Sequence, residues 1–325
     1  MGQETLIDVR AVSKFYASSG GLLSKRRSVK AVNRVSFQVH KGEILGLVGE
    51  SGCGKSTLGR TILRLTPASE GEVTYRGQSL FALDKREMRA MRQKLQMIFQ
   101  DPYACLNPRM NVEDLVRAPL DVFHIGNHTE RRDKVVEILE TVGLGEQHLG
   151  RFPHEFSGGQ RQRIGIARAL IMQPEFVVCD EPVSALDVSV RAAVLNLMKD
   201  LRQRFRLTYL FISHDLSVVH YLCDRVAVMY LGQIVEIADK KELFQNPRHP
   251  YTKALIKAIP APDMQKRKRA ELLEGDVPSP LSLPSGCLFH TRCPYCTQQC
   301  RQVKPELREA GQGHSVACHL NGGDV

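Results

Sequence analysis

Residues 49–56 read Gly49-Glu50-Ser51-Gly52-Cys53-Gly54-Lys55-Ser56, a glycine-rich turn closed by a lysine and a hydroxyl. In that spacing the glycines let backbone N–H groups close around phosphate oxygens at the positive end of a helix. Lys55 would reach the β- and γ-phosphates and Ser56 would ligate Mg²⁺, while Ser51, Gly52 and Thr57 complete the cradle. An apolar stretch, Ile44 to Val48, precedes the turn and a helical one follows, which is the context such a loop requires. The pattern specifies binding of a nucleotide such as ATP with Mg²⁺, and nothing beyond that. Cys53, at a variable position of the loop, reads as a small filler. A helix N-terminus beside it would lower its pKa and make nucleotide binding sensitive to oxidation.

Four further places carry residues suited to the chemistry of that nucleotide. "FVVCDE" is an apolar run ending in two acids. Asp180 stands where it can hold Mg²⁺ through water, and Glu181 where it can polarise an attacking water. His214 follows the apolar run of "LFISHD" and is positioned for a γ-phosphate contact. Gln100 ends "LQMIFQ" and could sense both metal and water. "FSGGQ" puts Ser157, Gly158, Gly159 and Gln160 directly before a helical stretch, a second anion-binding turn. Two phosphate-binding turns but one cradle lysine suggest a head-to-tail pair of chains. Each Ser157–Gly159 turn would then cover the nucleotide held by the other chain.

These residues must be positioned by strands and helices. Residues 5–16 and 34–39 alternate like edge strands of a small antiparallel sheet, separated by the basic loop "ASSGGLLSKRRSVK". Residues 102–150 change to a helical period, with Thr129 a candidate N-cap and Val135, Val136, Ile138, Leu139 and Val142 on one face. "FVVCD" and "TYLFISHD" are apolar strands bounded by helical segments. Strands alternating with helices imply a parallel sheet covered on both faces. Beyond "NPRHPYTKAL" the chain turns proline-rich and basic, with "KRKR" at 266–269.

Composition sets the remaining bounds. The 325 residues suffice for a large α/β domain with an appendage or for two domains, and 42% hydrophobic with 25% charged residues excludes a disordered chain. "MGQETLIDVR" lacks the apolar core of a signal peptide, and no apolar run approaches the roughly 18–20 residues of a membrane span. The expectation is a cytosolic chain unless a partner takes it to a membrane. A net charge of +10 fits anionic company such as nucleotides, lipid headgroups or nucleic acid, and equally a solubility margin.

Five of the nine cysteines fall at Cys287, Cys293, Cys296, Cys300 and Cys318. Cytosolic thiols stay reduced, which disfavours disulfides. Four thiolates at such spacing suit one closed site for zinc or an iron–sulfur cluster, with Cys293-x2-Cys296 leaning to zinc and His290, His314 and His319 as spare ligands.

The phosphate loop, Gln100, "FSGGQ", "FVVCDE", "SALD" and His214, in that order, resemble the ATP-binding subunit of ABC transporters. "NPRHPYTKAL" with "PSPLSLPSGCLFHTRC", together with "MYLGQIVE" and "PVSALDVSVRAAVLNLM", resembles the dipeptide/oligopeptide importer branch, most closely the second of its two paired ATPase subunits. The resemblance implies an α/β, P-loop NTPase (RecA-like) parallel-sheet core with a small antiparallel β-subdomain, a helical subdomain near 102–165 and a cysteine-rich C-terminal extension. It sets an ATPase domain at 1–245 and the extension at 246–325. It adds Tyr16 as an adenine-stacking aromatic and Asp187 at the dimer interface. In the cysteine-rich segment it implies a [4Fe–4S] cluster on Cys287, Cys293, Cys300 and Cys318, with Cys296 an extra.

The same resemblance implies an ATPase on the cytoplasmic face of the inner membrane. Its partners would be a sister ATP-binding subunit in a heterodimer, two transmembrane permease subunits and a substrate-binding protein, with no nucleic acid. Other cargoes in this group are nickel chelates, glutathione and antimicrobial peptides. A soluble, nucleic-acid-associated ABC ATPase is the rival class, but such chains carry two cassettes or a long coiled coil, and neither is present here.

Overall fold

The computed structural model of the protein describes residues 4–17, 28–259, 275–311 and 313–321. Most of the basic loop before residue 28 and the "KRKR" run at 266–269 lie outside the described residues. The chain forms two compact units: Met1–Ala82 together with Phe211–Val325, and Leu83–Leu210.

The first unit opens with β1 (Thr5–Ala17) and β2 (Ser28–His40), paired antiparallel from Thr5↔His40 to Ala17↔Ser28. The strand expected over 34–39 therefore begins earlier, at Ser28. Its first residues lie on the outer strand of the sheet, with Ser28 and Lys30 exposed and Val29 and Ala31 only half-buried. Next come β3 (Ile44–Val48), buried throughout, and α1 (Lys55–Ile62), then β4 (Glu70–Tyr75) and β5 (Gln78–Ser79), which complete a four-stranded sheet in the order β2-β1-β4-β5.

The chain then builds the second unit. α2 (Lys85–Met91) leads to β6 (Leu95–Ile98), and α3 (Pro102–Cys105), α4 (Val112–Val122), α5 (His128–Thr141) and α6 (Gly158–Leu170) follow. β7 (Phe176–Asp180) pairs parallel with β6, Leu95 opposite Phe176, and α7 (Val188–Phe205) follows it. Val135, Ile138, Leu139 and Val142 of the α5 region are buried as their spacing predicts. The cap differs from expectation: Asn127, not Thr129, starts α5. Its Oδ1 accepts the Glu130 N–H at 3.0 Å while Glu130 returns a bond to the Asn127 N–H at 2.9 Å, a reciprocal box unavailable to a residue inside the helix.

β8 (Thr208–Ser213) carries the chain back, and α8 (Leu216–Leu222), β9 (Arg225–Tyr230) and β10 (Gln233–Asp239) rejoin the first unit. β9 runs parallel to β3 and antiparallel to β10. After α9 (Lys240–Gln245), α10 (Pro250–Lys257) and α11 (Gln298–Gln302) come β11 (Arg308–Gly311) and β12 (His314–Val316). β12 pairs with β10, Glu236 opposite Val316, and β11 with β12. The sheet of this unit is therefore mixed rather than wholly parallel, because β10, and after it β12 and β11, add antiparallel strands to it.

Candidate functional site: a phosphate cradle, a glutamine–glutamate pair and a thiol neighbourhood

In the first unit the cradle forms directly after β3. Gly49 has φ +152° and Gly54 φ +108°, and a Cβ on either would run into a backbone carbonyl, that of Met229 for Gly49 and of Ala31 for Gly54. Only glycine meets both demands, positive φ and close approach. Ser51 and Gly52 are exposed, Ser56 and Thr57 half-buried, and Gly54 caps the eight-residue α1. The Lys55 side chain turns inward: its Nζ donates to the carbonyl oxygens of Gly49 at 2.8 Å and Glu50 at 3.0 Å, and lies 3.8 Å from Cys53 Sγ. Burial pushes the Cys53 thiol up despite the opposing pull of Lys55. That direction is the reverse of the lowering an activated thiol requires.

Two residues the motif does not contain hold this loop. The Glu50 N–H donates to Tyr251 Oη at 2.9 Å, and the Glu50 carboxylate receives both terminal nitrogens of Arg292, at 2.8 and 3.1 Å. The Glu50 pairing is the leading reason the Arg292 guanidinium is held well above its usual range. Tyr230, Tyr251 and Phe289 pack ring against ring at 4.7–5.4 Å beneath these contacts. No local pattern announces them, because Glu50 and Arg292 lie 242 residues apart. His214 in this unit is exposed just beyond β8. Tyr16, 42% exposed on β1, has Lys14 Nζ 5.0 Å from its ring centre.

The second unit brings Gln100 and Glu181 together, Gln100 Nε2 donating to Glu181 Oε2 at 3.2 Å. Asp180 is fully buried at the end of β7. Glu181 follows it with φ +45°, a left-handed conformation rare for a non-glycine residue. The Ser184 hydroxyl and N–H hold its carbonyl at 3.0 and 3.3 Å. Ser157 caps α6 in a reciprocal box with Gln160. Gly158 and Gly159 lie against Leu186 and Val190, and at Gly159 a Cβ would collide with the Val190 side chain. Asp187 is exposed at the start of α7. The amide and carboxylate oxygens of Gln100 and Asp180 in this unit are hard donors of the kind Mg²⁺ takes, as is the Ser56 hydroxyl in the first unit taken by itself.

The C-terminal thiols share one neighbourhood. The Cys287 N–H donates to the Cys300 carbonyl at 2.8 Å, and Thr297 Oγ1 lies 3.2 Å from Cys300 Sγ. Burial first, then the nearby thiols of Cys300, Cys318 and Cys293, push the Cys287 thiol up to about 11. Burial likewise raises Cys293, with Cys318, Cys300 and Cys296 adding to it. Yet among the described residues no group of three or more His, Cys, Asp or Glu is placed to hold a metal ion.

The cradle and the acid-bearing strand end define a P-loop nucleotide-binding cassette. Residues 32–184 match the family described as ABC transporter, and residues 235–300 match the oligopeptide/dipeptide transporter C-terminal region. The chain is 51% identical over 98% of both chains to the oligopeptide transport ATP-binding protein AppF of Bacillus subtilis (strain 168). It is 49% identical to the oligopeptide transport ATP-binding protein OppF of Haemophilus influenzae, over 91% of this chain and 90% of that one. A solved structure of the ATP-binding cassette MJ0796, in a dimeric post-hydrolysis state with ADP and Pi, superposes with a TM-score of 0.65 at 28% identity, covering 72% of this chain and 99% of that one. The chain belongs to the ATP-binding proteins of the ABC transporter family, in the oligopeptide/dipeptide branch. Among the described residues no helix is long and apolar enough to cross a membrane.

Proposed function

We propose that the chain is the ATP-hydrolysing subunit that powers an importer of dipeptides or oligopeptides, working at the cytoplasmic face of the inner membrane. Its partners are a sister ATP-binding subunit, two permease subunits and a substrate-binding protein that delivers cargo to the permease. Residues 1–245 form the ATPase domain, with a helical subdomain near 102–165 that meets the permease, and residues 246–325 form the C-terminal extension.

Lys55 and the backbone of Gly49–Ser56 bind the β- and γ-phosphates, while Tyr16 stacks on adenine. Ser56, Gln100 and, through water, Asp180 would hold Mg²⁺, which would supply positive charge to offset that of the phosphate oxygens. Glu181 takes the proton of the attacking water, oriented by Gln100, and His214 contacts the γ-phosphate. Ser157–Gln160 of one subunit cover the nucleotide of the other, with Asp187 at the interface. Closure around ATP and reopening after hydrolysis give a two-state element that moves the permease.

The cysteine-rich segment is a structural staple, as a [4Fe–4S] centre on Cys287, Cys293, Cys300 and Cys318, with zinc the alternative. The thiol spacing and shared neighbourhood support it. Anaerobic purification with iron, sulfide and zinc analysis tests this: brown protein with stoichiometric iron confirms the cluster, and metal-free protein removes it.

The observation that carries the functional reading is the Gln100–Glu181 pair at the carboxyl end of β6 and β7, in a chain matched over nearly its whole length by oligopeptide transport ATP-binding proteins. The test is reconstitution of the chain with its sister ATP-binding subunit, permease subunits and substrate-binding protein in proteoliposomes, measuring ATP hydrolysis and uptake of a labelled tripeptide. Both are expected and both should vanish in Lys55→Ala. Hydrolysis without peptide uptake overturns the cargo, and absence of hydrolysis overturns the whole reading.

A further inference from the structure

The segment between Cys287 and Cys293 reaches into the phosphate cradle. Arg292, with its side chain 6% exposed, grips the Glu50 carboxylate with two parallel bonds. Glu50 is itself the second residue of the cradle, and Lys55 bonds its carbonyl while Tyr251 receives its N–H. One loop residue is thus held at three points, two of them from the C-terminal region. Phe289, three residues before Arg292, is 1% exposed and sits against Tyr230, Tyr251 and His249, so the arm that carries Arg292 is anchored in the core of the unit.

A bidentate guanidinium–carboxylate pair fixes the plane of the carboxylate as well as its distance. Removing one partner from a pair withdrawn from water leaves the other as an uncompensated charge. Here that orphan would be a carboxylate in a loop whose task is to receive phosphates, which repel it. A tail anchor alone would lower stability when broken but would leave the affinity of the loop for phosphates unchanged.

We infer that Arg292 is a positioning residue for nucleotide binding: by neutralising and orienting Glu50 it lets the cysteine-rich segment set the affinity of the phosphate loop. The inference rests on the reading of residues 49–56 as the nucleotide cradle.

The test is equilibrium binding of Mg-ATP to the purified full-length chain, with thermal melting alongside, for Arg292→Ala, Arg292→Lys, Glu50→Gln and the double variant Arg292→Ala/Glu50→Gln. Arg292→Ala should raise the Kd at least about fivefold. The double variant should return to within about twofold of Glu50→Gln, since no unpaired carboxylate is left. A purely structural pair would lower melting in both without that recovery. Folded Arg292→Ala with an unchanged Kd overturns the proposal, as does a double variant that binds no better than Arg292→Ala. If Arg292→Ala does not fold, Arg292→Lys decides: it keeps the charge and loses the fork, so weaker binding is expected and an unchanged Kd overturns. A wild-type chain that binds no nucleotide overturns the cradle reading first, and the proposal with it.

Discussion

Gln100 Nε2 donates to Glu181 Oε2 at 3.2 Å, joining residues 81 positions apart at the ends of two parallel strands. The bond orients a carboxylate whose own backbone is already constrained at φ +45°. Such a conformation costs on the order of 1–3 kcal/mol and persists where the surroundings impose it. Here the Ser184 hydroxyl and N–H impose it. If Glu181 is the base, Glu181→Gln should lower steady-state hydrolysis by about 10²–10⁴-fold, the usual worth of general base catalysis, while Mg-ATP still binds. Single-turnover hydrolysis beside equilibrium binding measures both. Equal loss of binding would assign Glu181 to ligand contact instead.

Gly54 combines φ +108° with a Cβ position that overlaps the Ala31 carbonyl. Gly77, in the turn between β4 and β5, has φ +80° but open space around it. Alanine at either site pays about 1–2 kcal/mol for the left-handed backbone. Only Gly54→Ala must also shift the cradle, so its ATP affinity should fall more than about tenfold while that of Gly77→Ala stays at the wild-type value. Isothermal titration with ATP, paired with urea unfolding, separates the two terms. Equal affinities would mean the cradle absorbs a methyl group.

The cradle, Gln100, Asp180–Glu181 and the Ser157 turn were legible in the sequence because each is a short motif whose chemistry is local. The Asn127 cap was missed for a competing local reason: Asn127 and Thr129 are both good caps, and only the reciprocal bond to Glu130 decides between them. The contacts that finish the site were illegible for a different reason. Arg292 with Glu50, and β12 with β10, join residues far apart along the chain, and nothing in either partner's neighbourhood names the other. The thiols show the limit from the opposite side. Their spacing anticipates that Cys287, Cys293, Cys300 and Cys318 share one neighbourhood, but it does not determine how the side chains are placed within it.

Phe289 is the apolar plug of the C-terminal region, 1% exposed among Tyr230, Tyr251 and His249. Truncation of a fully buried phenylalanine removes its transfer free energy and leaves a cavity, so Phe289→Ala should cost about 3–5 kcal/mol in urea unfolding. Tyr295, 58% exposed in the same segment, is the comparison, and Tyr295→Ala should stay within about 0.5 kcal/mol of wild type. If both variants were equally mild, the region would contribute little to the stability of its unit.

His249 is 1% exposed at the start of α10, and its Nδ1 accepts the Tyr251 N–H at 3.0 Å. Burial first, and the charge of Lys253 second, lower its pKa from 6.5 to about 3. Protonation would remove the lone pair that caps the helix, so the folded chain refuses a proton that the unfolded chain accepts. Between pH 6.5 and about 3 the unfolded state therefore binds more protons, and stability falls as pH falls through that window. Within it, this one group contributes a loss of about 1.4 kcal/mol per pH unit. Asn at this position can cap Tyr251 and does not titrate. Urea unfolding at pH 7 and pH 5 should show wild type losing more stability than His249→Asn, by about 1–2 kcal/mol over the interval. Parallel pH dependences would mean that His249 already takes up a proton in the folded chain.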